Sequence, residues 1–374
     1  MSATATATAA TKPSFGARAA DLGLALVSPR GAVFLLLIIL LITITALNPN
    51  FAEPGQFMRF LQRVAPIALV AIGQYFVIVS GEFDLSMGSV ITAQVVIAGN
   101  LIGQDDSKIV PVTIFMVVFG IVIGVINGLV TTLLKVPSFI TTLGMMLALL
   151  GGVMFWTGGA ATGNPADAFR EIGRGGFRDV PLLDFVPYSV IILAIVLVGA
   201  VLLMKRPFGR TLIAVGDNPV AARYAGIRVW WVKTRAFVIS SLAATLSGIL
   251  LVGYAGVHPS VGRGYEFIAI TAVVLGGVAL GGGRGWVVAA AAGAIALEAL
   301  FMVLNFMDVP STLRDAVQGA IIILAVAYSA FSFRGRRRAA PAQASPDSGT
   351  SETGKEPSFD PNPADPAPTR ISTD

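Results

Sequence analysis

Apolar stretches, each about as long as a lipid bilayer is thick, recur along this chain and decide what it can fold into. A helix crossing the hydrocarbon core needs roughly 20 mostly apolar residues, because each residue adds about 1.5 Å of rise. Ten segments meet or approach that length: 31–47, 62–80, 87–103, 110–134, 138–157, 187–204, 236–256, 266–281, 286–306 and 314–332. Charged residues are 13% of the chain, against about 25% in a soluble domain. A surface this poor in charge must meet lipid. The expected fold is an all-α membrane protein, a polytopic helical bundle of about ten transmembrane helices with a short cytoplasmic helix.

The flanks differ in composition. Residues 1–30 form an Ala/Thr-rich arm, expected to be cytoplasmic and mostly disordered, and the first apolar run reads as an uncleaved span. Residues 31–332 form the membrane domain. The stretch 333–374, with "PAQASPDSGT" and "DPNPADPAPT", buries too little apolar surface to order itself and reads as a disordered cytoplasmic tail. Lys12, Arg18, Arg30, Lys135, Arg284, the basic residues of 205–235 and the Arg334–Arg338 cluster share one side of a ten-span topology. They outnumber the basic residues on the other side, such as Arg59, Lys108 and Arg170, by about two to one, which places both termini in the cytoplasm.

Several classes of function fall away. The chain has no cysteine, so thiolate metal sites and cysteine nucleophiles are excluded. The single histidine, His258, lies in the connection Gly256-Val257-His258-Pro259-Ser260 without metal-ligating companions. The net charge of +5 is spread between apolar runs rather than gathered in a nucleic-acid-binding patch. No G-x-x-x-x-G-K-[ST] loop is present, and Gly354-Lys355 lacks the preceding glycine, so this chain is not expected to hydrolyse ATP. No nucleophile–base or metal constellation suggests an enzyme.

The glycine-rich stretches near 81–88 and 276–286 read as re-entrant or broken helix. Gly81, Leu85 and Gly88 have the same spacing as Gly276, Leu280 and Gly283, which suggests two structural repeats of one orientation. The outer connection, about 158–186, is mixed in charge and reads either as a solvated connector or as a contact surface.

The longest inner connection, 205–235, contains Gly216-Asp217-Asn218-Pro219. Asn218 suits an N-cap, Pro219 the first helical position and Gly226 the end of the helix, so Pro219–Ala225 should form about two turns. Ala221 and Ala222 permit close approach by another protein, and Arg223 offers a fork of donors. An interfacial helix lying on the lipid is the alternative from spacing alone.

Four stretches, in order, resemble the ribose/xylose/arabinose/galactose group of ATP-binding-cassette importer permeases: "GEFDLSMGSV" (81–90), "NGLVTTLLKVPSFITTLGMM" (127–146), "FGRTLIAVGDNPVAARYAGI" (208–227) and "GYEFIAITAVVLGGVALGGGRG" (264–285). The resemblance covers roughly 30–332. It implies a bacterial inner-membrane subunit that pairs with a second copy to form a path for a monosaccharide. A separate ATPase would use ATP and magnesium, and an extracytoplasmic binding protein would deliver the sugar. It further implies that Gly216, Asp217, Asn218, Ala221, Ala222, Arg223 and Gly226 touch the ATPase, with Asp217 a tolerated departure.

Other departures concern the interior. Glu82 stands where the family commonly has glycine, Glu298 lies in an apolar span, and Phe301 and Met302 replace polar residues. A charge at mid-bilayer costs about 2.5–3.5 kcal/mol on insertion scales, so Glu298 should face protein, either lining the path or making a packing contact. Asp84 reads as the cap of a helix starting at Leu85 or as a gate residue. Ser86, Asn127 and Asn305 are further candidates for the path, and the two asparagines equally suit hydrogen bonds between helices. The alternatives in function are a permease of the same fold for branched-chain amino acids, nucleosides or another small polar solute, and an ion-coupled secondary transporter.

Overall fold

The computed structural model describes residues 31–324. The arm 1–30, the tail 333–374 and the end of the last expected span lie outside the described residues.

Among the described residues, nine apolar helices follow the expected order, and a further helix begins at 314. They are α1 (Ala32–Leu47), α2 (Pro54–Val79), α3 (Met87–Ile97, continued by a π turn over Ala98–Ile102), α4 (Ile109–Thr132), α5 (Ser138–Thr157), α7 (Tyr188–Lys205), α10 (Val229–Ala255), α11 (Tyr265–Leu275), α12 (Val287–Phe306) and α13 (314–324). Between them lie three short helices, α6 (Asp167–Arg174), α8 (Pro207–Asp217) and α9 (Pro219–Tyr224). Among the described residues, α2, α4, α5, α7, α10 and α12 are long and apolar enough to cross a membrane, and α1, α3 and α11 are shorter.

The molecule is not wholly helical. The outer connection folds as α6 followed by an antiparallel hairpin of β1 (Gly176–Val180) and β2 (Asp184–Pro187). The connection read as a solvated connector or a contact surface thus carries regular structure of its own. Polar residues there hid an alternation too short to read, and positive φ at Asp179, Leu182 and Asp184 makes the tight, irregular turn.

Helix α10 is the hub, packing against α2, α3, α4 and α6. Lipid tails are as apolar as leucine, so helices in a bilayer associate through close fit and hydrogen bonds rather than hydrophobic exclusion. Helix α4 supplies that fit with Gly120, Gly124 and Gly128, one per turn. A Cβ on Gly124 would lie 2.6 Å from Val238 Cα and 2.8 Å from the Phe237 carbonyl, and one on Gly128 would lie 2.6 Å from Thr234 Cα. Backbone thus rests directly on backbone along this seam.

Two helices are half-length because their N-termini begin inside the bundle. A Cβ on Gly73 would lie 3.1 Å from Met87 Cε. Gly73 is six residues before the end of α2, so α3 starts about 9 Å above that end. The chain climbs there through the extended segment 82–86. From the opposite end, 256–264 descends beside α3, with Val257 against Gly99 and the Gly262 amide bonded to Thr92 Oγ1 at 3.0 Å. Helix α11 then starts beside the N-terminus of α3, where Gly88 abuts Glu266. His258 makes a local turn, its Nδ1 accepting from the Ser260 amide.

The repeat expected from glycine spacing is shifted by one residue. Helices α2 and α11 end alike, with positive φ at Gly81 and Gly277 and closing bonds from the Glu82 amide to the Val77 carbonyl and from the Val278 amide to the Val273 carbonyl. Gly81 therefore corresponds to Gly277, not Gly276. The connections that follow differ in length, so Gly88 lies in a helix whereas Gly283 lies in a loop.

Gly124→Val should lower the folded yield and cost about 1–3 kcal/mol by overpacking the α4–α10 seam. Gly144→Val, at a position with open space, should behave as wild type. The check is the thermal midpoint of detergent-solubilised protein followed by size-exclusion chromatography.

Candidate functional site: a polar break in the bundle and the inner-end junction

Segment 82–86 carries backbone groups into a region without water, where an unbound N–H or C=O costs several kcal/mol. Side chains satisfy them. The Phe83 amide donates to Ser138 Oγ at 3.1 Å and the Leu85 amide to Thr142 Oγ1 at 3.0 Å, one turn apart at the start of α5. Asp84 is fully buried. Its Oδ1 accepts from the Ser86 amide at 2.9 Å and from Ser86 Oγ at 2.6 Å, and its Oδ2 accepts from Ser240 Oγ of α10 at 2.6 Å. Asn127 Nδ2 of α4 donates to Ser86 Oγ at 2.9 Å. Asp84, Ser86 and Asn127 thus form one network joining the break to α4 and α10.

Asp84 is not an N-cap. The helix begins at Met87 rather than Leu85, and the carboxylate holds the amide of the residue before it. Glu82, at the mouth of the break, forms an ion pair with Lys233 on the inner end of α10, and both side chains are largely shielded. The departure from glycine at Glu82 therefore has a partner.

Three connections meet at this end. Gly216, in the last turn of α8, sits so close to the Val79 carbonyl and the Gly283 amide that a Cβ would overlap them. The Gly283 amide donates to the Val79 carbonyl at 2.9 Å. Gly282 packs on Gly81, and Asp217 lies 4.0 Å from Arg284. The end of α2, the α8–α9 corner and the glycine-rich connection 276–286 therefore touch backbone to backbone.

The α8–α9 corner is more helical than the turn expected before Pro219. Pro207 opens α8 at its first turn, a helix-start signal visible in the sequence. Asn218 Oδ1 accepts from the amides of Val220 and Ala221, each at 3.0 Å, and so caps α9. Tyr224 is its last helical residue, one short of the expected Ala225. Gly226, with φ of +81°, terminates it, and the Ile227 amide bonds to the Ala222 carbonyl. Gly216 and Ala222 are buried in this chain, whereas Asp217, Asn218, Ala221, Arg223 and Gly226 are exposed. The outward face also carries Val220 and Tyr224, 60% and 90% exposed. Sequence reading passed over both, although a large apolar residue on each side of "AAR" was the signal.

The remaining candidates lie elsewhere. Glu298 stands partway along α12 and makes no ion pair among the described residues, but Arg63 and Arg314 are near enough to act on its charge. Asn305 accepts from Arg314 Nη2 at 3.3 Å, near the C-terminal end of α12. Neither joins the Asp84 network. Among the described residues no group of three His, Cys, Asp or Glu is placed to hold a metal.

Residues 56–326 match the family model described as branched-chain amino acid transport system / permease component. The chain is 38% identical to the ribose import permease protein RbsC of Bacillus subtilis, the match covering 78% of this chain and 90% of the relative. It is 34% identical to RbsC of Escherichia coli K12, with the same coverage. It is 31% identical to the L-arabinose transport system permease protein AraH of that strain, covering 80% of this chain and 90% of the relative. No solved structure matches.

Glu82→Lys should destabilise the inner end by repulsion from Lys233, toward the lower end of the ~3–5 kcal/mol lost when a buried pair is broken. The double reversal, Glu82→Lys with Lys233→Glu, should recover most of it. Thermal midpoints of the two single variants and the double variant give the coupling; strict additivity would mean that the pair contributes nothing.

Proposed function

We propose a function on one premise: the chain belongs to the permease family of ATP-binding-cassette sugar importers. On that premise it is the membrane subunit of an importer for a monosaccharide, most simply a pentose, because the relatives named above carry ribose or L-arabinose in their names. A second copy completes the path, an extracytoplasmic binding protein delivers the sugar, and a separate ATPase docks on the inner face. On this reading the chain crosses the bacterial inner membrane ten times, with both termini on the cytoplasmic side. The family description names branched-chain amino acids instead; the sugar reading is favoured by the individual relatives.

The observation that carries the coupling assignment is the exposed face of α9 set on the three-way backbone junction. A short helix with Val220, Arg223 and Tyr224 turned outward offers two apolar anchors around a guanidinium. Aromatic and arginine side chains are the usual anchors of protein interfaces. Behind them, Ala222 and Gly216 transmit displacement without slack, because Gly216 already touches Val79 and Gly283. Closure of the ATPase would push α9, and the push would reach α2 and the 276–286 connection. Recognition is left to the binding protein, so the permease needs only weak affinity for its cargo.

Arg223→Glu and Tyr224→Ala should each leave the chain in the membrane at normal levels while reducing recovery of an ATPase with the tagged permease by at least about tenfold, the scale of a hot-spot loss. Mass spectrometry of the complex from gently solubilised native membranes provides the readout. Unchanged recovery in both variants would reject α9 as the docking helix. Absence of any ATPase with wild type would turn attention to ion-coupled transport.

A further inference from the structure

A second polar feature lies midway through the bundle, beside the N-terminus of α3, where Glu266 abuts Gly88. A cavity of about 540 Å³ opens between the N-terminus of α11 and α13, lined in part by Arg263, Glu266, Phe267, Asp315 and Gln318. Its depth follows from α11, whose eleven residues rise about 16 Å from the inner-end connection, roughly half the thickness of the hydrocarbon core. Glu298 lies at a similar height, since α12 packs antiparallel to α11 with Gly293 against Ala272.

Charges at this depth are costly against lipid, by about 2.5–3.5 kcal/mol each on insertion scales. Glu266 and Gln318 are buried, but Arg263 and Asp315 are exposed. Their face must meet water, polar solute or the second permease copy rather than acyl chains. Arg314, one residue before Asp315, donates to Asn305 Oδ1 at 3.3 Å.

The geometry points to this cavity as a subsite for a neutral polyol on the translocation path, an inference that rests on the permease reading above. The two carboxylates oppose an anion, and the guanidinium among them opposes a small cation. Arg263 and Gln318 offer N–H donors, while Glu266, Asp315 and Gln318 offer acceptors. Adjacent hydroxyls, each both donor and acceptor, fit that mixture. Phe267, 51% exposed, gives a flat apolar surface for the C–H face of a sugar ring. The volume lies within the ~300–1,000 Å³ of small-molecule sites.

The absence of native cysteine allows a direct test in the full chain. Single cysteines at Gln318 and Asp315, and at Ile195 on the exposed side of α7 as a lipid-facing control, are treated with a negatively charged methanethiosulfonate in native-host cells lacking the chromosomal copy. The two cavity cysteines should label at least about tenfold faster than Ile195→Cys, because only hydrated thiols ionise and react readily. Labelling should abolish radiolabelled D-ribose or L-arabinose uptake, with no effect on the cysteine-free wild type. Rates no greater than at Ile195 would overturn a hydrated path here, and rapid labelling with uptake intact would overturn the subsite. Failure of the wild type to take up either pentose would remove the pentose reading, whatever the labelling rates, and the labelling comparison would then stand as the test of the hydrated cavity alone.

Discussion

Everything at the inner end depends on how one stretch of non-helical backbone is satisfied away from water. Between the Glu82 amide, which closes α2, and the Ser86 carbonyl, which opens α3, the segment enters the bundle with peptide groups unpaired by helix geometry, and a lipid environment offers them nothing. Ser138 and Thr142 take two of its amides, and Asp84 takes a third while holding Ser240 on α10. Without these bonds α3 could not begin partway into the molecule, and its N-terminus would not meet that of α11. The break therefore creates the interior polar region, and the buried carboxylate fixes the break.

Close packing then makes the assembly stiff. The glycine ladder of α4 brings its backbone onto α10, and the glycines of three connections bring theirs together near Gly216. Contacts between backbones have little rotamer freedom to absorb movement, unlike contacts between long side chains. A rigid corner carrying an exposed helix is suited to passing a push from a partner into the helices around the break. The polar cavity at the N-terminus of α11 stands on the same half-helix whose C-terminal connection touches that corner, so the proposed docking face and the proposed sugar subsite are joined by one eleven-residue element.

Much of this was legible in the sequence. Apolar run lengths located the nine apolar helices of the described residues in order, and Asn218, Pro219 and Gly226 marked both ends of α9, because capping is local chemistry. The four ordered motifs identified the family. Other features were local but overlooked: the four-residue spacing of Gly120, Gly124 and Gly128, and Pro207 at the start of α8. The glycine repeat misled by one residue because spacing records composition, whereas the shared feature is a positive φ after each helix. The Glu82–Lys233 pair was beyond reach, since its members are 151 residues apart and only the fold brings them together. The hairpin at 176–187 was lost among polar residues. Asp84 read as a cap or a gate residue because its position before a helix is visible, while its bond to Ser240 is not.

The central claim is that this chain is the path through which an ATPase drives a sugar. It is tested most directly by co-reconstituting the permease with its co-purified ATPase and binding protein in proteoliposomes and following labelled D-ribose and L-arabinose. The account predicts accumulation of at least one pentose that requires ATP and the binding protein and persists when ion gradients are collapsed. Accumulation that needs an ion gradient and no ATP would contradict it.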